Sequence, residues 1–252
     1  MRLIPDKKEG EGDPAEPVYL DDRLMAQPAA ALQLAAKEIL HLAFLVGEQL
    51  HLTTGMVRRK EEGQPAAGIE QRERLKGLGD KITEYLSGLF SAGVLTEEQA
   101  AQTAGVMYLL GDVERMGELC ADVTLAIEDR DRRKTKYSKE AMKDLEKSLK
   151  VIEDMYGAAL QVLTTGDEES ARKIRKKKEK VLDLDIEMRK GHMDRVSKGK
   201  CATEMTGPLN DILHAIDRMG NCCVNIADAA LDKVDLNYFN ATGSPEELTA
   251  KE

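Results

Sequence analysis

The sequence lacks several features that sheets, secreted folds and common enzymes need. It has no Trp, and aromatic residues make up only 4% of its 252 residues. Alternating runs of β-branched and aromatic residues are nearly absent, so we predict no β-sheet. Its four cysteines have no CxxC zinc spacing and are too few for a disulfide framework in a chain this long, which favours reduced thiols. Nucleophile elbows, P-loops, dinucleotide fingerprints and HExxH motifs are also missing, so the sequence predicts no enzyme.

Basic charge and long apolar runs are scarce as well. The chain has 37 Lys and Arg against 46 Asp and Glu, a formal net charge of −9, which argues against nucleic acid as its main partner. No stretch approaches the roughly 18 consecutive apolar residues of a membrane span, and the N-terminus lacks the apolar core of a signal peptide. The expectation is a soluble protein on the cytoplasmic side of the membrane.

What remains is a highly charged chain with amphipathic helical patterning. Charged residues make up 33% of it, and Leu, Ile, Val, Met and Ala recur at helical spacing. We predict six helices, at about 28–53, 65–90, 96–129, 138–165, 167–197 and 202–235. The first is predicted to end near Gly55 and the fourth before Gly166, and Thr96 and Gln99 have the spacing of a capping box at the start of the third. Residues 1–17 and 240–252 are predicted to be a flexible lead-in and tail, because charge, Gly and Pro dominate the first and the second resembles it.

The predicted helices form two similar sets of three. GDVERMGELCADVT at 111–124 returns as HAIDRMGNCCVNIAD at 214–228, and HLTTG at 51–55 returns as VLTTG at 162–166. One long helix cannot bury its apolar stripe alone, whereas three packed antiparallel can. We therefore predict an all-α fold of two tandem three-helix bundles, at 18–132 and 136–238.

The repeated stretch has an apolar side and a charged side. Gly117 lies beside the apolar stripe, which predicts close approach of a neighbouring helix. The stripe itself comprises Val106, Leu109, Val113, Met116, Cys120, Val123 and Ile127.

The charged side of the first copy is a ladder of carboxylates. Glu114, Glu118 and Asp122 follow at intervals of four, where like charges repel by about 0.2–0.5 kcal/mol per pair. Such a ladder calls for a counter-charge, either Lys or Arg from a neighbouring helix or a bound cation. In the second copy Asp217 is followed by the neutral Asn221. If metal binds, we therefore expect it first at Glu114 and Glu118.

Three stretches carry a family resemblance. ERMGELCADVT and DRMGNCCVNIAD resemble the signature of PhoU-type phosphate-signalling proteins, whose fold is two repeated three-helix bundles. YLDDRLMAQPAAALQLAAKEIL (19–40) resembles the joint after the last membrane helix of bacterial sodium/phosphate cotransporters with a C-terminal PhoU-like domain. MRKGHMDRVSKGKC (188–201) resembles the segment entering the final helix of those domains. The resemblance reaches from about residue 18 to 235.

The resemblance also implies metal ligands. In PhoU proteins the acidic pairs on the signature helices bind iron or zinc clusters. Other divalent cations are alternatives for this chain. The pairs fall on Glu114 with Glu118, Asp122 being nearby, and on Asp217 with Asn221. The family expects further acids on the middle helix of each bundle, where this chain has Lys76 and Leu182 instead.

The function that the resemblance implies is non-enzymatic. The chain is expected to be the excised cytoplasmic regulatory domain of a sodium/phosphate cotransporter, modulating phosphate uptake through contacts with the membrane part. One alternative is a free-standing PhoU regulator of an ABC phosphate transporter and its sensor kinase. Another is a carboxylate-bridged metal protein, which the lack of a Glu-x-x-His motif disfavours. Assembly into homo-oligomers is a further alternative. The basic run at 171–180 is either a solvated face or a contact with an anionic membrane surface.

Overall fold

The computed structural model describes residues 16–58, 66–132 and 137–240. Within these ranges there is no strand, which confirms the predicted all-α fold. The six long helices are α1 (Pro28–Arg58), α2 (Ala66–Ser91), α3 (Glu97–Arg132), α4 (Lys139–Thr165), α5 (Glu168–Ser197) and α6 (Thr206–Asp232). A short helix, α7, follows at Asn237–Asn240, and single 3-10 turns precede α1 and α6.

Side-chain caps begin several of these helices where the sequence places them. Thr96 and Gln99 form the predicted capping box before α3, each side chain accepting from the other's backbone N–H at 3.2 and 3.0 Å. Ser138 caps α4 by accepting from the Ala141 N–H at 3.1 Å. Asp167 caps α5 by accepting from the Glu169 N–H at 2.9 Å. These bonds satisfy backbone donors that have no partner inside the helix.

The two helices that carry the repeated TTG sequence, α1 and α4, end differently. Gly166 closes α4 in the left-handed conformation, with φ of 69°, as the sequence predicts. The prediction that α1 ends near Gly55 was wrong, because α1 continues through it to Arg58. The hydroxyls of Thr53 and Thr54 donate to carbonyls one turn earlier, at 2.9 and 3.0 Å, so both buried hydroxyls are satisfied within the helix. Val57, only 2% exposed, then anchors the extra turn in the core.

Each set of three helices packs together, α1 with α2 and α3, and α4 with α5 and α6. The two bundles meet along α3 and α6, the most extensive helix pair, and along α1 and α4. One continuous core of buried side chains runs through both. The domain limits 18–132 and 136–238 stay a prediction, and most of the predicted lead-in and the tail lie outside the described residues.

Helix α1 contributes a long apolar segment to this core. Its segment Pro28–Val57 is long and apolar enough to cross a membrane by composition, a test that buried core helices also pass. Here 56% of the most apolar part is buried inside the protein. The hydroxyl of Tyr156 on α4 donates to the Ala43 carbonyl of α1 at 2.9 Å, which ties the two bundles together.

A strap of residues 16–25 leads into α1 and is fastened to both α1 and α2. The fully buried carboxylate of Glu38 accepts from the backbone N–H groups of Val18 and Tyr19 at 2.8 and 2.6 Å. It also accepts from the N–H of Leu20 at 3.3 Å, and its second oxygen lies 2.8 Å from His41 Nδ1. A buried charge is tolerated only when hydrogen bonds of this kind satisfy it. The strap is thereby fixed on the bundle.

Contacts with α2 hold the other side of the strap. The Tyr85 hydroxyl donates to the Asp21 carbonyl at 3.1 Å, and Lys81 forms an ion pair with Glu16. Met25 lies over Gly88, where an added Cβ would come within 3.3 Å of the methionine methyl group. The strap therefore contacts the C-terminal half of α2 at three successive turns.

Candidate functional site

The repeated signature lies on α3 and α6, which pack against each other at the centre of the molecule. The predicted apolar stripe of α3 is confirmed, since each of its members is at most 2% exposed. At Gly117 α3 faces neighbouring helices, since an added Cβ would lie 3.4 Å from Val46 of α1 and 3.7 Å from Leu75 of α2. These are ordinary van der Waals distances, so the packing here does not require a glycine.

A cavity of about 230 Å³ opens beside the first signature, between α1, α2 and α3. It has an apolar floor and a charged rim. The floor comprises Leu42, Val46, Leu75 and Gly117, and the rim comprises Arg72, Lys76, Asp80, Glu114 and Glu118. The cavity therefore brings together two of the predicted ligands, Glu114 and Glu118, and the lysine that departs from the family pattern.

Most charges on this rim are paired within the protein. Glu118 accepts from Arg115 at 2.5 Å, and Asp80 accepts from Lys76 at 3.0 Å. Glu114 has no such partner among the described residues, and its carboxylate lies over Gly79 of α2. Burial raises the pKa of Glu114, as do the neighbouring charges of Asp80 and Glu118, while Lys76 acts in the opposite direction.

Asp122, the third acid of the ladder, does not join this site. It is exposed and lies outside the cavity lining. Helical spacing alone placed it with Glu114 and Glu118, but its side chain faces solvent rather than the cavity. The predicted ladder is therefore a pair at the cavity plus one solvated carboxylate.

The second copy of the signature is closed by an internal ion pair. Lys178 of α5 pairs with Asp217, and its aliphatic stem crosses Gly220 of the signature. Asn221 is exposed. Leu182, at the place where the family pattern expects an acid, is 51% exposed on α5. The residue that faces Asp217 is Lys178, one turn before Leu182, and the family pattern did not predict it.

The implied iron or zinc cluster does not fit these side chains as they are arranged. No three His, Cys, Asp or Glu residues in the described ranges are grouped so that they would hold a metal ion. At the first copy Arg115 and Lys76 already neutralise two of the acids, and at the second Lys178 does so. The expectation that metal prefers Glu114 and Glu118 over Asp217 and Asn221 stays a prediction.

The basic run at 171–180 is largely neutralised inside the protein. Four of its cations form ion pairs: Lys173 with Glu169, Arg175 with Asp228, Lys177 with Asp154 and Lys178 with Asp217. Arg172, Lys176 and Lys180 are exposed. Contact of this run with a membrane surface stays a prediction, as does assembly into homo-oligomers.

Paired three-helix bundles with a doubled signature give the chain a PhoU-like fold, and comparisons with known proteins agree. The family model described as PhoU domain matches residues 145–230. The chain also resembles the crystal structure of PhoU from Pseudomonas aeruginosa, with a TM-score of 0.71 at 14% identity, covering 78% of this chain and 93% of that one. At this identity the likeness shows the fold.

Two relatives of known sequence are named for phosphate export. The chain is 23% identical to the protein named putative inorganic phosphate export protein YjbB of Salmonella typhimurium LT2, over 93% of this chain and 43% of that protein. It is 24% identical to the protein of the same name from Escherichia coli K12, over 87% of this chain and 40% of that protein. Residues 145–230 thus match the PhoU domain model, the chain is similar to YjbB over most of its own length, and it spans about two fifths of the relatives it matches.

Glu114 supplies a pH-dependent prediction. Its pKa is raised in the folded protein, so folding favours the protonated form, and ionisation costs stability as the pH rises through the folded pKa. Glu114→Gln keeps the shape without the charge. We expect the melting temperature of Glu114→Gln, relative to wild type, to rise from the unfolded carboxyl pKa of about 4.3 upward and to level off above the folded pKa.

Glu118→Gln is the matched control for this measurement, since Glu118 is already paired with Arg115. It is expected to show no gain across the same pH range. A Glu114→Gln difference that is flat with pH, or a variant less stable than wild type at neutral pH, would contradict the assignment of Glu114 as an unpaired, partly buried carboxylate.

Proposed function

We propose that the chain is a regulatory domain of a phosphate transport system, and more specifically the domain through which a sodium/phosphate cotransporter adjusts phosphate flux. One observation carries the proposal: a PhoU-like pair of bundles occurs in a chain homologous to part of proteins named for phosphate export. The proposed partner is the membrane part of that transporter, on the cytoplasmic side. Because the curated relatives are named for export, regulation of either direction of flux is part of the proposal.

The structure supports this role by linking the strap to the cavity. The N-terminal half of α2 supplies Arg72, Leu75, Lys76 and Asp80 to the cavity, and its C-terminal half holds the strap through Tyr85. A helix moves as a rigid element, so a shift of α2 at the cavity displaces its other end as well. A change of state at the cavity would in this way be transmitted through α2 to the strap of residues 16–25.

A binding role accounts for the nucleophiles of the chain better than catalysis does. Burial raises the pKa of the Cys222 thiol to about 12 and raises the pKa values of Cys120 and Cys223 as well, so all three stay protonated at neutral pH. Cys201 lies 3.7 Å from His192 Nδ1, but that histidine is only 2% exposed and its other nitrogen is bonded to the Thr206 hydroxyl at 2.8 Å. A base enclosed in this way has no room beside it for a substrate.

Deletion of residues 18–240 from the gene that encodes the chain tests the proposal. Uptake and release of radiolabelled phosphate would be measured in cells at low and high external phosphate. We expect the deletion to change how at least one of the two fluxes responds to external phosphate. Fluxes that match wild type in both directions and at both concentrations would reject a regulatory role, and turnover of phosphate esters by the purified protein would reject the binding role.

The free-standing PhoU regulator remains a second candidate. It is favoured by the coverage of 93% of the Pseudomonas aeruginosa PhoU chain by this one. The same deletion strain separates the two. A phosphate-starvation reporter that becomes active at high phosphate would indicate control of a sensor kinase, whereas altered flux with a silent reporter would indicate control of the transporter itself.

A further inference from the structure

The two copies of the signature place different side chains over the same glycine. Leu75 of α2 lies over Gly117, with its terminal carbon 3.7 Å from the position of an added Cβ. Lys178 of α5 lies over Gly220, with its Cδ 2.8 Å from the equivalent position. Leu75 and Lys178 are separated by the same interval in sequence as the two glycines. They therefore occupy the same place relative to the signature glycine in the two repeats.

This exchange changes what the neighbouring carboxylate finds. Beside Leu75 the first copy keeps an open cavity and an unpaired Glu114 among the described residues. In the second copy the longer side chain of Lys178 carries its ammonium group to Asp217, the residue that corresponds to Glu114. The side chain of Lys178 is only 20% exposed.

We propose that Lys178 is a tethered cation that takes the place of the metal ion in the second repeat. The ammonium group pairs with Asp217, so a divalent cation would have to displace a charge that the protein itself holds in place. Asn221 offers no compensating charge, because its amide is neutral and exposed. The second repeat is thus a structural ion pair between α5 and α6, and only the first repeat retains an open site.

Gly220 is the feature that makes this ion pair possible. The lysine stem passes over α6 where a Cβ would come within 2.8 Å of it, and Ile152 of α4 lies 3.6 Å from the same point. The stem is therefore confined between two helices, and confinement reduces the side-chain entropy that an ion pair on an open surface loses. The same contact predicts that the Lys178–Asp217 ion pair contributes more to the stability of the fold than neighbouring surface ion pairs do.

A double-mutant cycle on Lys178→Leu and Asp217→Asn, read by thermal unfolding, tests the proposal. Lys178→Leu is expected to lower the melting temperature by about 1–4 °C more in the Asp217 background than in the Asp217→Asn background, the shift that a coupling of up to about 1 kcal/mol gives in a protein of this size. Lys177→Leu with Asp154→Asn is the matched control, because that ion pair is more exposed, and its coupling is expected to be smaller.

Zinc and ferrous iron titrations of the wild type and Asp217→Asn supply the second readout. The proposal predicts the same number of bound ions for both proteins. Additive effects of the two substitutions on melting temperature would overturn the ion pair as a structural element. Loss of one bound ion in Asp217→Asn would overturn the claim that Lys178 takes the metal's place.

Discussion

Gly105→Ala is expected to lower the melting temperature by about 6–12 °C, from overpacking that costs about 3 kcal/mol. An added Cβ at Gly105 would lie 2.1 Å from the carbonyl oxygen of Lys233, a backbone atom at the end of α6 that has no rotamer to move aside. The end of α6 is held at this place from both sides. Asp235 N donates to Gln102 at 2.6 Å, and the Lys233 ammonium lies 3.3 Å above the Tyr108 ring.

Gly111→Ala is the control for this substitution. Gly111 lies on the same helix, and nothing comes within 4 Å of an added Cβ there. Alanine is the better helix former by about 0.8–1 kcal/mol, so this variant is expected to gain stability. Differential scanning calorimetry of the two variants measures both effects. A Gly105→Ala melting temperature within about 2 °C of wild type would contradict the close contact between α3 and the end of α6.

Glu38→Ala is expected to cost about 3 kcal/mol or more, because it leaves three backbone N–H groups of the strap without their acceptor. The loss should appear in urea unfolding and, locally, as faster hydrogen exchange at Val18, Tyr19 and Leu20. Glu38→Gln keeps one acceptor oxygen, so its stability is expected to lie between those of wild type and Glu38→Ala. In Glu38→Ala the strap is released, while the amides of α2 and α3 keep their protection from hydrogen exchange.

Glu48→Ala serves as the comparison, since Glu48 lies on the same helix and is exposed. It is expected to leave both stability and strap exchange within about 0.5 kcal/mol of wild type. Equal exchange rates at residues 18–20 in Glu38→Ala and wild type would show that the strap is held by something other than this carboxylate.

Local patterns predicted the helices and their caps well. Periodicity, the Thr96 capping box and the Gly166 terminator act within a few residues, and the structure has each of them. The end of α1 failed for a reason that is not local. Gly55 stays helical because Val57 is buried against the rest of the protein, and tertiary burial outweighs the low helix propensity of one glycine.

The site was predicted less completely, since it depends on how helices meet. The pair Glu114 and Glu118 follows from spacing on one helix, and both line the cavity. Lys178, in contrast, becomes the partner of Asp217 only through the register of α5 against α6, which no spacing within one helix specifies. Glu38 did leave a signal, a single acid inside the apolar run AAKEILHLAFL, because a charge on a core face requires dedicated partners.

Phosphate flux in cells that carry Gly105→Ala or Gly111→Ala in the gene encoding this chain tests the central claim most directly. If the folded pair of bundles regulates transport, Gly105→Ala will shift the response of phosphate uptake or release to external phosphate as the deletion does, in cells grown at a temperature at which limited proteolysis shows the variant to be unfolded. Gly111→Ala, with one methyl group added on the same helix, will behave as wild type. Wild-type flux in cells whose Gly105→Ala protein is shown by limited proteolysis to be unfolded would contradict the account.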